Sequence, residues 1–172
     1  MLFRSSLRAV SSTLPKSTGG VVSKIEIGSV EETARKLGLK LLVLEASVDS
    51  DFEAAFAYAT QQQAGALSIN ADPFFTPRRA QIVALAARHS LPTVYPWREY
   101  VDAGGMMSYG PSLAWAYHQI GLYAGRILKG ARPGDLPVQL PTKFELVINL
   151  KTVEALGLTV PRIVQAGAEI IE

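Results

Sequence analysis

The clearest pattern in this chain is a series of short apolar runs separated by longer amphipathic stretches. Apolar residues at 39–44, 66–69 and 93–95 form runs of the length and composition typical of buried parallel strands. Each of the first two runs is followed by a stretch in which apolar residues recur at helical spacing. The pattern predicts a strand–helix–strand–helix–strand unit with parallel pairing through right-handed crossovers.

Residues that favour helix starts lie at the expected positions of this unit. Ser29 forms a possible capping box with Glu32 ahead of a helix that Gly38 ends, and Asp49 or Ser50 can cap the next helix. Thr76-Pro77 opens a third helix, with proline at the first helical position. The helical stretches are therefore expected to begin at these residues.

The C-terminal part of the chain has a second set of predicted elements. Ser112 can cap a long helix that ends near Gly130, and residues 144–149 alternate enough to form a strand. A short helix is expected at 151–156, and the weakly patterned tail is expected to end in one helical turn. Together with the first unit, these elements predict an α/β fold with a parallel sheet flanked by helices.

The first 24 residues have a different composition from the rest. They contain four basic residues, many serines and no acidic residue, and Arg8 interrupts the apolar stretch that a secretory signal needs. The Arg/Ser content formally fits a transit peptide, but a disordered or atypical leader, residues 1–24, is the favoured interpretation. No signal peptide is recognisable, so the sequence leaves the localisation open.

Composition excludes several classes of function. Of 172 residues, 48% are hydrophobic and 19% charged, an ordinary globular balance that argues against disorder. A net charge of +2 without a basic run does not favour nucleic acid, and Arg78-Arg79 is interpreted as a solvated helix face. The absence of cysteine excludes disulfides and thiol nucleophiles, and no run of eighteen apolar residues exists to cross a membrane.

Specialised side chains follow two of the predicted strands. Because the carboxyl ends of parallel strands share one sheet edge, these groups are expected to lie together, with apolar walls and a few polar groups as in a small-molecule pocket. Glu99 or Asp72 can hold an ammonium group, and the aromatic rings can stack on a ligand. The candidates are Asn70, Asp72, Phe74 and Phe75 after the second strand, and Tyr95, Trp97 and Glu99 after the third.

The segment 97–110, WREYVDAGGMMSYG, adds two further candidates. Ser108 and Tyr109, next to Gly110, form a polar step that offers hydroxyls and free backbone N–H groups ahead of a capped helix. This segment carries more specialised side chains than a passive connection needs, so we expect it to form part of a binding site.

Structural interpretations stay open for several of these residues. Phe74 and Phe75 can equally plug the core beneath their loop, and Trp97 can cover the sheet edge instead of contacting a ligand. Arg98-Glu99 is more typical of a surface ion pair than of a ligand clamp.

Catalytic interpretations are weaker. His89 and His118 both lie within helical patterns, and none of the common nucleophile, phosphate-loop or zinc-protease motifs is present. No metal cluster is recognisable, and no cofactor is expected. The sequence therefore favours a non-enzymatic binding protein, and a small enzyme that uses Glu99 or His89 is a distant third hypothesis.

Three motifs carry a family resemblance. DPFF at 72–75, WREYVDAGGMMSYG at 97–110 and LPTKFELVINLKT at 140–152 together resemble a family of bacterial ABC transporter substrate-binding proteins, the one with tryptophan- and tyrosine-associated members. The resemblance covers residues 25–172. It implies a type I periplasmic-binding fold of two α/β lobes that close on a solute at a hinge.

The resemblance also implies a function and partners. It implies capture of a small organic solute, an amino acid or aromatic acid, and delivery to an inner-membrane ABC permease, which places the protein in the periplasm. By the match, residues 25–110 form a second-lobe portion with Ser108 and Tyr109 at the hinge. Residues 111–172 supply a returning helix, a strand and the tail, and the strand is expected to lack its usual sheet. The chain is thus interpreted as a C-terminal portion, and a non-transporting truncated remnant or interaction domain is the alternative.

Overall fold

Seven strands form one sheet in the computed structural model of the protein, which describes residues 9–12 and 20–172. The strand order is β2-β1-β3-β4-β5-β6-β7. The strands are β1 (Ala9–Ser12), β2 (Leu42–Leu44), β3 (Ala66–Ile69), β4 (Thr93–Tyr95), β5 (Met107–Pro111), β6 (Phe144–Asn149) and β7 (Glu169–Ile171). The helices are α1 (Gly20–Lys36), α2 (Asp49–Gln61), α3 (Arg79–Arg88), α4 (Arg98–Asp102), α5 (Leu113–Leu128), α6 (Leu150–Ala155) and α7 (Arg162–Gln165). Short 3₁₀ turns occur at Thr76–Arg78 and Pro133–Asp135.

The first five strands are parallel, and they include β2, β3 and β4, for which the hydrophobic pattern predicts parallel pairing. β1 pairs with β2 on one side and β3 on the other, and β4 and β5 continue the sheet. Within each short strand, alternate residues point into the core: Leu67 and Ile69 of β3 are buried, as are Thr93 and Tyr95 of β4. The predicted α/β class with a parallel sheet is confirmed.

The expected disordered or atypical leader, residues 1–24, contains regular elements in the parts that the structure describes. Residues 9–12 form β1, where pairing on both sides satisfies the backbone of a serine-rich segment that has no strong strand pattern. Helix α1 begins at Gly20, ahead of the predicted cap, and Ser29 lies inside it, where its carbonyl accepts a hydrogen bond from Thr33 Oγ1 at 2.9 Å. Residues 1–8 and 13–19 of the leader lie outside the described residues.

The C-terminal strands complete the same sheet. β6 runs antiparallel to β5 along five residue pairs, and β7 adds in parallel to β6. The expectation that residues 144–149 lack a sheet is therefore wrong, because β5 offers them a free edge. The tail forms both a helical turn, α7, and the strand β7, where a helical turn alone was predicted.

The segment 97–110 is more regular than the sequence indicates. Its first part forms α4, with Tyr100 and Val101 buried, and its end forms most of β5. Thr152 Oγ1 of α6 donates to Gly104 O at 2.9 Å, which ties the turn between α4 and β5 to the C-terminal helix.

Two groups of buried side chains hold these elements together. The larger lies between the parallel strands, α2 and α3, and includes Phe52, Phe56, Leu67, Phe75, Ile82 and Tyr95. The smaller lies around β6 and α6 and is centred on Met106, Ile148 and Val153. Within the described ranges, every helix is too short or too polar to cross a membrane.

Candidate functional site

An open cleft lies where β3 and β4 end, at the edge of the sheet that the sequence singles out. Its volume is about 450 Å³, which is within the range of small-molecule sites. The walls come from the loop after β3, the start of α3, the loop between β4 and α4, and the first turns of α5. The lining residues are Ala71, Asp72, Pro73, Thr76, Pro77, Arg79, Trp97, Leu113 and Tyr117.

Asp72 is held in place by its own turn. Its Oδ1 accepts a hydrogen bond from the backbone N–H of Phe74 at 2.6 Å, the arrangement of an Asx turn. Its carbonyl oxygen accepts from the N–H of Phe75 at 3.1 Å, from the N–H of Thr76 at 3.2 Å and from Thr76 Oγ1 at 3.0 Å. These bonds position the carboxylate at the cleft wall.

The two arginines after this turn have different environments. The guanidinium of Arg78 lies over the Phe74 ring, 3.9 Å from its centroid, and donates to Asp49 Oδ1 at 2.6 Å and Phe74 O at 2.9 Å. Arg79 lines the cleft, and its Nη1 donates to Thr76 O at 3.3 Å. The interpretation of the pair as a solvated face is therefore wrong for Arg78, and Arg79 brings a positive charge to the cleft that also holds Asp72.

Aromatic rings border the cleft from two elements. Trp97 directly precedes α4, is half-buried and also packs against the larger core. Tyr117 comes from α5 and is 66% exposed. The cleft thus combines one carboxylate, one guanidinium, a threonine hydroxyl and two aromatic side chains, a set that can bind a small molecule with both charged and apolar parts.

A pair of buried tyrosines lies beneath this edge. The rings of Tyr95 and Tyr100 are stacked, 4.9 Å apart at 13°, and each residue is 1% exposed. Burial raises the pKa of the Tyr95 hydroxyl, and an interaction with the Thr93 side chain partly opposes this rise. Burial also raises the pKa of Tyr100, to about 12. Both side chains are therefore neutral throughout the physiological range.

Of the nine predicted site residues, the structure brings Asp72 and Trp97 together in the cleft. Three others are core residues: Phe75, Tyr95 and Ser108 are each 1% exposed and offer no surface to a ligand in the cleft. Tyr95 and Ser108 are buried because they occupy strand positions whose side chains point into the core. Phe75 is buried because the turn after Asp72 places its ring against Phe52 and Phe74. Core packing, the structural interpretation left open for Phe75, is the observed one.

The remaining four predicted residues lie outside the lining. Phe74 stacks on Phe52 at 5.7 Å and supports Arg78. Tyr109 is 60% exposed and stacks on Phe144 of β6 at 5.7 Å. Asn70 and Glu99 are half-buried near the strand ends, and Glu99 Oε2 is buried with no hydrogen-bond partner among the described residues.

The proposed surface ion pair of Arg98 with Glu99 does not form. Arg98 instead makes a two-bond contact with Glu169 of β7, each bond 3.0 Å, and its Nε lies 3.6 Å from Asp102 Oδ2. The hydrogen bond to Glu169 raises the pKa of Arg98. Arg98 therefore ties α4 to the last strand.

Sequence reasoning missed seven of the nine lining residues, and three of these carry polar or aromatic side chains. Thr76 was treated as a helix start, Arg79 as a solvated face, and Tyr117 as one apolar position of a long helix. A signal for Arg79 existed, because it falls in the first turn of a helix whose preceding loop follows a strand end. No local signal could have placed Tyr117, which lies 45 positions beyond Asp72 in the chain.

The described residues show little that suggests catalysis. No group of three His, Asp or Glu side chains that could hold a metal occurs among them. His89 lies between Thr60 Oγ1, at 3.2 Å from Nδ1, and Glu53 Oε1, at 3.4 Å from Nε2, at the opposite end of α3 from Arg79. Its contacts join α2 to α3.

Comparison with known proteins gives a family match over nearly the whole chain. A family model described as ABC transporter substrate binding protein matches residues 13–171. Among curated proteins, none matches significantly.

Solved structures resemble the chain along almost all of its length. A conserved domain protein from Vibrio cholerae O1 biovar El Tor is 26% identical, with a TM-score of 0.79, over 96% of this chain and 55% of that protein. An ABC domain from Streptococcus pneumonia, solved in complex with L-Trp, is 21% identical with a TM-score of 0.81, over 95% and 56%. A ligand-free, open substrate-binding protein with adhesive properties from Clostridium difficile is 18% identical with a TM-score of 0.65, over 96% and 54%. The chain thus spans about half the length of these structures.

Proposed function

This chain belongs to the ABC transporter substrate-binding protein family, and we propose that its cleft binds a small zwitterionic solute, an amino acid with an aromatic side chain. The observation that carries the proposal is the presence of Asp72 and Arg79, with opposite charges, in the walls of one cleft that also contains Trp97. The solute is handed to an ABC permease and is not chemically changed.

The two charges match the two ends of a free amino acid. A carboxylate such as Asp72 accepts hydrogen bonds from an ammonium group, and the planar guanidinium of Arg79 can donate two parallel hydrogen bonds to a carboxylate. A ligand with one charge alone leaves the other protein charge without a partner inside the cleft. Such a site therefore favours zwitterions over simple acids or amines.

The aromatic rings favour an aromatic or bulky apolar side chain on the solute. Trp97 and Tyr117 can contact a flat ring by stacking, and the Leu113 side chain adds apolar surface. One solved relative holds L-Trp, which makes L-tryptophan the first probe to test.

Delivery to an importer sets the proposed location and partner. Substrate-binding proteins of ABC importers act outside the cytoplasmic membrane, so we place the protein in the periplasm or an equivalent compartment, with a membrane permease as partner. We assign the cleft of this chain to one wall of the solute site, formed by the second-lobe portion of the family fold together with the start of α5. The opposite wall is contributed by the part of the solved relatives that this chain does not match.

A second function is favoured by a separate observation. Within the described part of the chain, α5 carries large apolar side chains on its surface, and none of its residues is buried. Such a surface is typical of a protein contact. An interaction domain that binds no solute is therefore the alternative, and it predicts that cleft substitutions have no effect on partner binding.

The test measures binding of three matched probes by titration calorimetry. L-tryptophan carries both charges, tryptamine lacks the carboxylate, and indole-3-propionate lacks the ammonium group. We expect L-tryptophan to bind most tightly to the wild-type chain. Lack of binding of L-tryptophan and of other amino acids contradicts the solute proposal and favours the interaction domain.

Two substitutions test which charged group of the solute binds Asp72 and which binds Arg79. Asp72→Asn keeps the Oδ1 that caps the turn and should weaken L-tryptophan about 10–100-fold while leaving indole-3-propionate unchanged. Arg79→Gln should do the same for L-tryptophan and leave tryptamine unchanged. Arg88→Gln is the matched control, because Arg88 lies at the other end of α3 and pairs with Glu53. Equal effects of all three variants would point to a general loss of stability.

A further inference from the structure

Arg98 joins the first turn of α4 to a strand that lies much later in the chain. Its Nη1 and Nη2 donate to Glu169 Oε2 and Oε1, each at 3.0 Å, and the two residues are 71 positions apart. Two parallel hydrogen bonds between a guanidinium and a carboxylate fix the direction of the contact as well as its distance. The pair therefore holds the start of α4 in one orientation relative to β7.

Helix α4 depends on tertiary contacts for its position. It contains five residues, too few for a helix to be stable by itself. It packs on the rest of the fold through the buried Tyr100 and Val101. Just beyond its end, Thr152 Oγ1 of α6 donates to Gly104 O at 2.9 Å. Elements from the end of the chain, α6 and β7, thus hold α4 at both of its ends.

Helix α4 itself gives Arg98 no favourable place for its charge. A cation is unfavourable in the first turn of a helix, where backbone N–H groups are unpaired. The other carboxylate near Arg98 is that of Asp102, with 3.6 Å between Nε and Oδ2, but Asp102 belongs to the same helix. Of the two carboxylates, only that of Glu169 can hold α4 against another element.

Trp97 is the cleft residue that this contact places. It directly precedes Arg98, and its carbonyl oxygen accepts from the N–H of Tyr100, in the first turn of α4, at 3.2 Å. The residue before it, Pro96, lies against the backbone of Gly110 in β5. Because the Trp97 ring lines the cleft, its position in the wall depends on where the first turn of α4 is held.

We infer that Arg98 and Glu169 are positioning residues for solute binding: their ion pair fixes the first turn of α4 and thereby sets the place of the Trp97 ring in the cleft wall. The inference rests on the proposed function, since it concerns the same cleft. The two side chains are 36% and 53% exposed, and an exposed ion pair contributes little to global stability. Loss of the pair should therefore change the placement of Trp97 more than the stability of the fold.

The first test reads the placement of Trp97 directly by fluorescence. The chain has two tryptophans, so Trp115→Phe leaves Trp97 as the single emitter. In this background Glu169→Gln should shift the emission to longer wavelength and increase quenching by acrylamide, because the half-buried ring becomes more exposed. Glu53→Gln is the matched control: Glu53 is 56% exposed and also pairs with an arginine, Arg88, but this pair joins α2 to α3. No change on Glu169→Gln, or an equal change in the control, would overturn the inference.

The second test measures binding of L-tryptophan by titration calorimetry. Glu169→Gln and Arg98→Gln should each weaken binding about 3–10-fold, and the double variant should bind no more weakly than either single one. The melting temperature should fall by less than about 4 °C. Asp102→Asn removes the partner inside α4 and should leave the affinity unchanged. In a Trp97→Leu background, Glu169→Gln should have no further effect, since the pair acts through the Trp97 ring.

The two tests separate this inference from the proposed function. If the wild type binds L-tryptophan and Glu169→Gln binds it equally well, the inference is overturned and the solute proposal stands. A purely structural role for the pair predicts a lower melting temperature with unchanged affinity and unchanged Trp97 emission. If the wild type binds no amino acid, the solute proposal fails, and the fluorescence test alone decides whether the pair places Trp97.

Discussion

Helices α3 and α5 have similar sequence signals and opposite surroundings. In α3, Ile82, Val83, Leu85 and Ala86 are buried against the parallel strands. In α5, which lies wholly within the described residues, no residue is buried, and Tyr117, Ile120 and Leu128 are 66%, 62% and 87% exposed. Both helices were predicted from apolar periodicity, and α5 is the longer and the more apolar of the two.

The difference shows that a hydrophobic pattern identifies a helix without identifying what covers it. The pattern of α3 is explained by strands of the same chain. The pattern of α5 has no such explanation within the described part of this chain, which spans about half the length of its solved relatives. The apolar face of α5 therefore points to a contact that the described part of this chain does not make with itself.

The largest expected effect on stability comes from replacing one isoleucine in each helix by alanine and comparing the two losses. Ile82→Ala in α3 should lower the free energy of unfolding by about 2–5 kcal/mol, because Ile82 is 1% exposed and truncation leaves a cavity. Ile120→Ala in α5 should change it by less than about 0.5 kcal/mol, because the side chain is already in water. Urea unfolding followed by circular dichroism measures both. A large cost for Ile120→Ala would mean that α5 is covered in solution.

A smaller effect on stability is expected from the buried Tyr100 as the pH rises. Burial raises the folded-state pKa of Tyr100 from 10.0 to about 12, so its contribution to stability is complete below pH 10 and is lost as the pH rises towards 12. Over that window the unfolded chain loses this proton first, which costs about 1.4 kcal/mol of stability per pH unit. Urea midpoints at pH 9, 10 and 11 should therefore fall more steeply for the wild type than for Tyr100→Phe. The same pH dependence of the urea midpoint in the wild type and in Tyr100→Phe would contradict the raised pKa of Tyr100.

The smallest effect compares two helix caps. Asn149 Oδ1 accepts from the N–H of Thr152 at 3.1 Å at the start of α6, and Ser112 Oγ accepts from the N–H of Trp115 at 3.3 Å at the start of α5. Asn149→Ala should lower the global stability by about 1 kcal/mol, since α6 packs on β6. Ser112→Ala should increase hydrogen exchange within α5 and leave the global unfolding midpoint unchanged. If Ser112→Ala shifts that midpoint as much as Asn149→Ala, α5 unfolds together with the sheet and the contrast fails.

Much of the fold follows from local sequence signals. The apolar runs gave β3 and β4 at their observed bounds, and the Ser112 cap and Gly130 gave the ends of α5. β1 and α4 were missed because their sequences, AVSS and REYVD, contain no apolar run, and β7 was missed because it lies in the weakly patterned tail. Their existence depends on pairing partners and packing, which a local pattern does not contain.

The residues of the candidate site also fall into two groups, those that local sequence signals indicate and those that only tertiary packing brings in. Asp72 and Trp97 could be placed in it because both follow strand ends at one sheet edge. Phe75 and Tyr95 were predicted to bind the ligand, but both are core residues. An aromatic residue next to a strand end can point into the core or towards a ligand, and its sequence position does not distinguish the two. Arg79 and Tyr117 enter the cleft through tertiary packing, and their roles as ligand residues stay predictions until the binding tests are done.

Gly110 of β5 packs against Pro96, the residue that follows β4, and this close packing restricts what can occupy position 110. An added Cβ on Gly110 would collide with Pro96 O, so the backbone of β5 lies directly against the backbone that leads from β4 into α4. A clash with a backbone atom cannot be relieved by rotating a neighbouring side chain, so only glycine fits at position 110 without moving the backbone. A larger residue there would displace the segment next to Trp97, which lines the cleft.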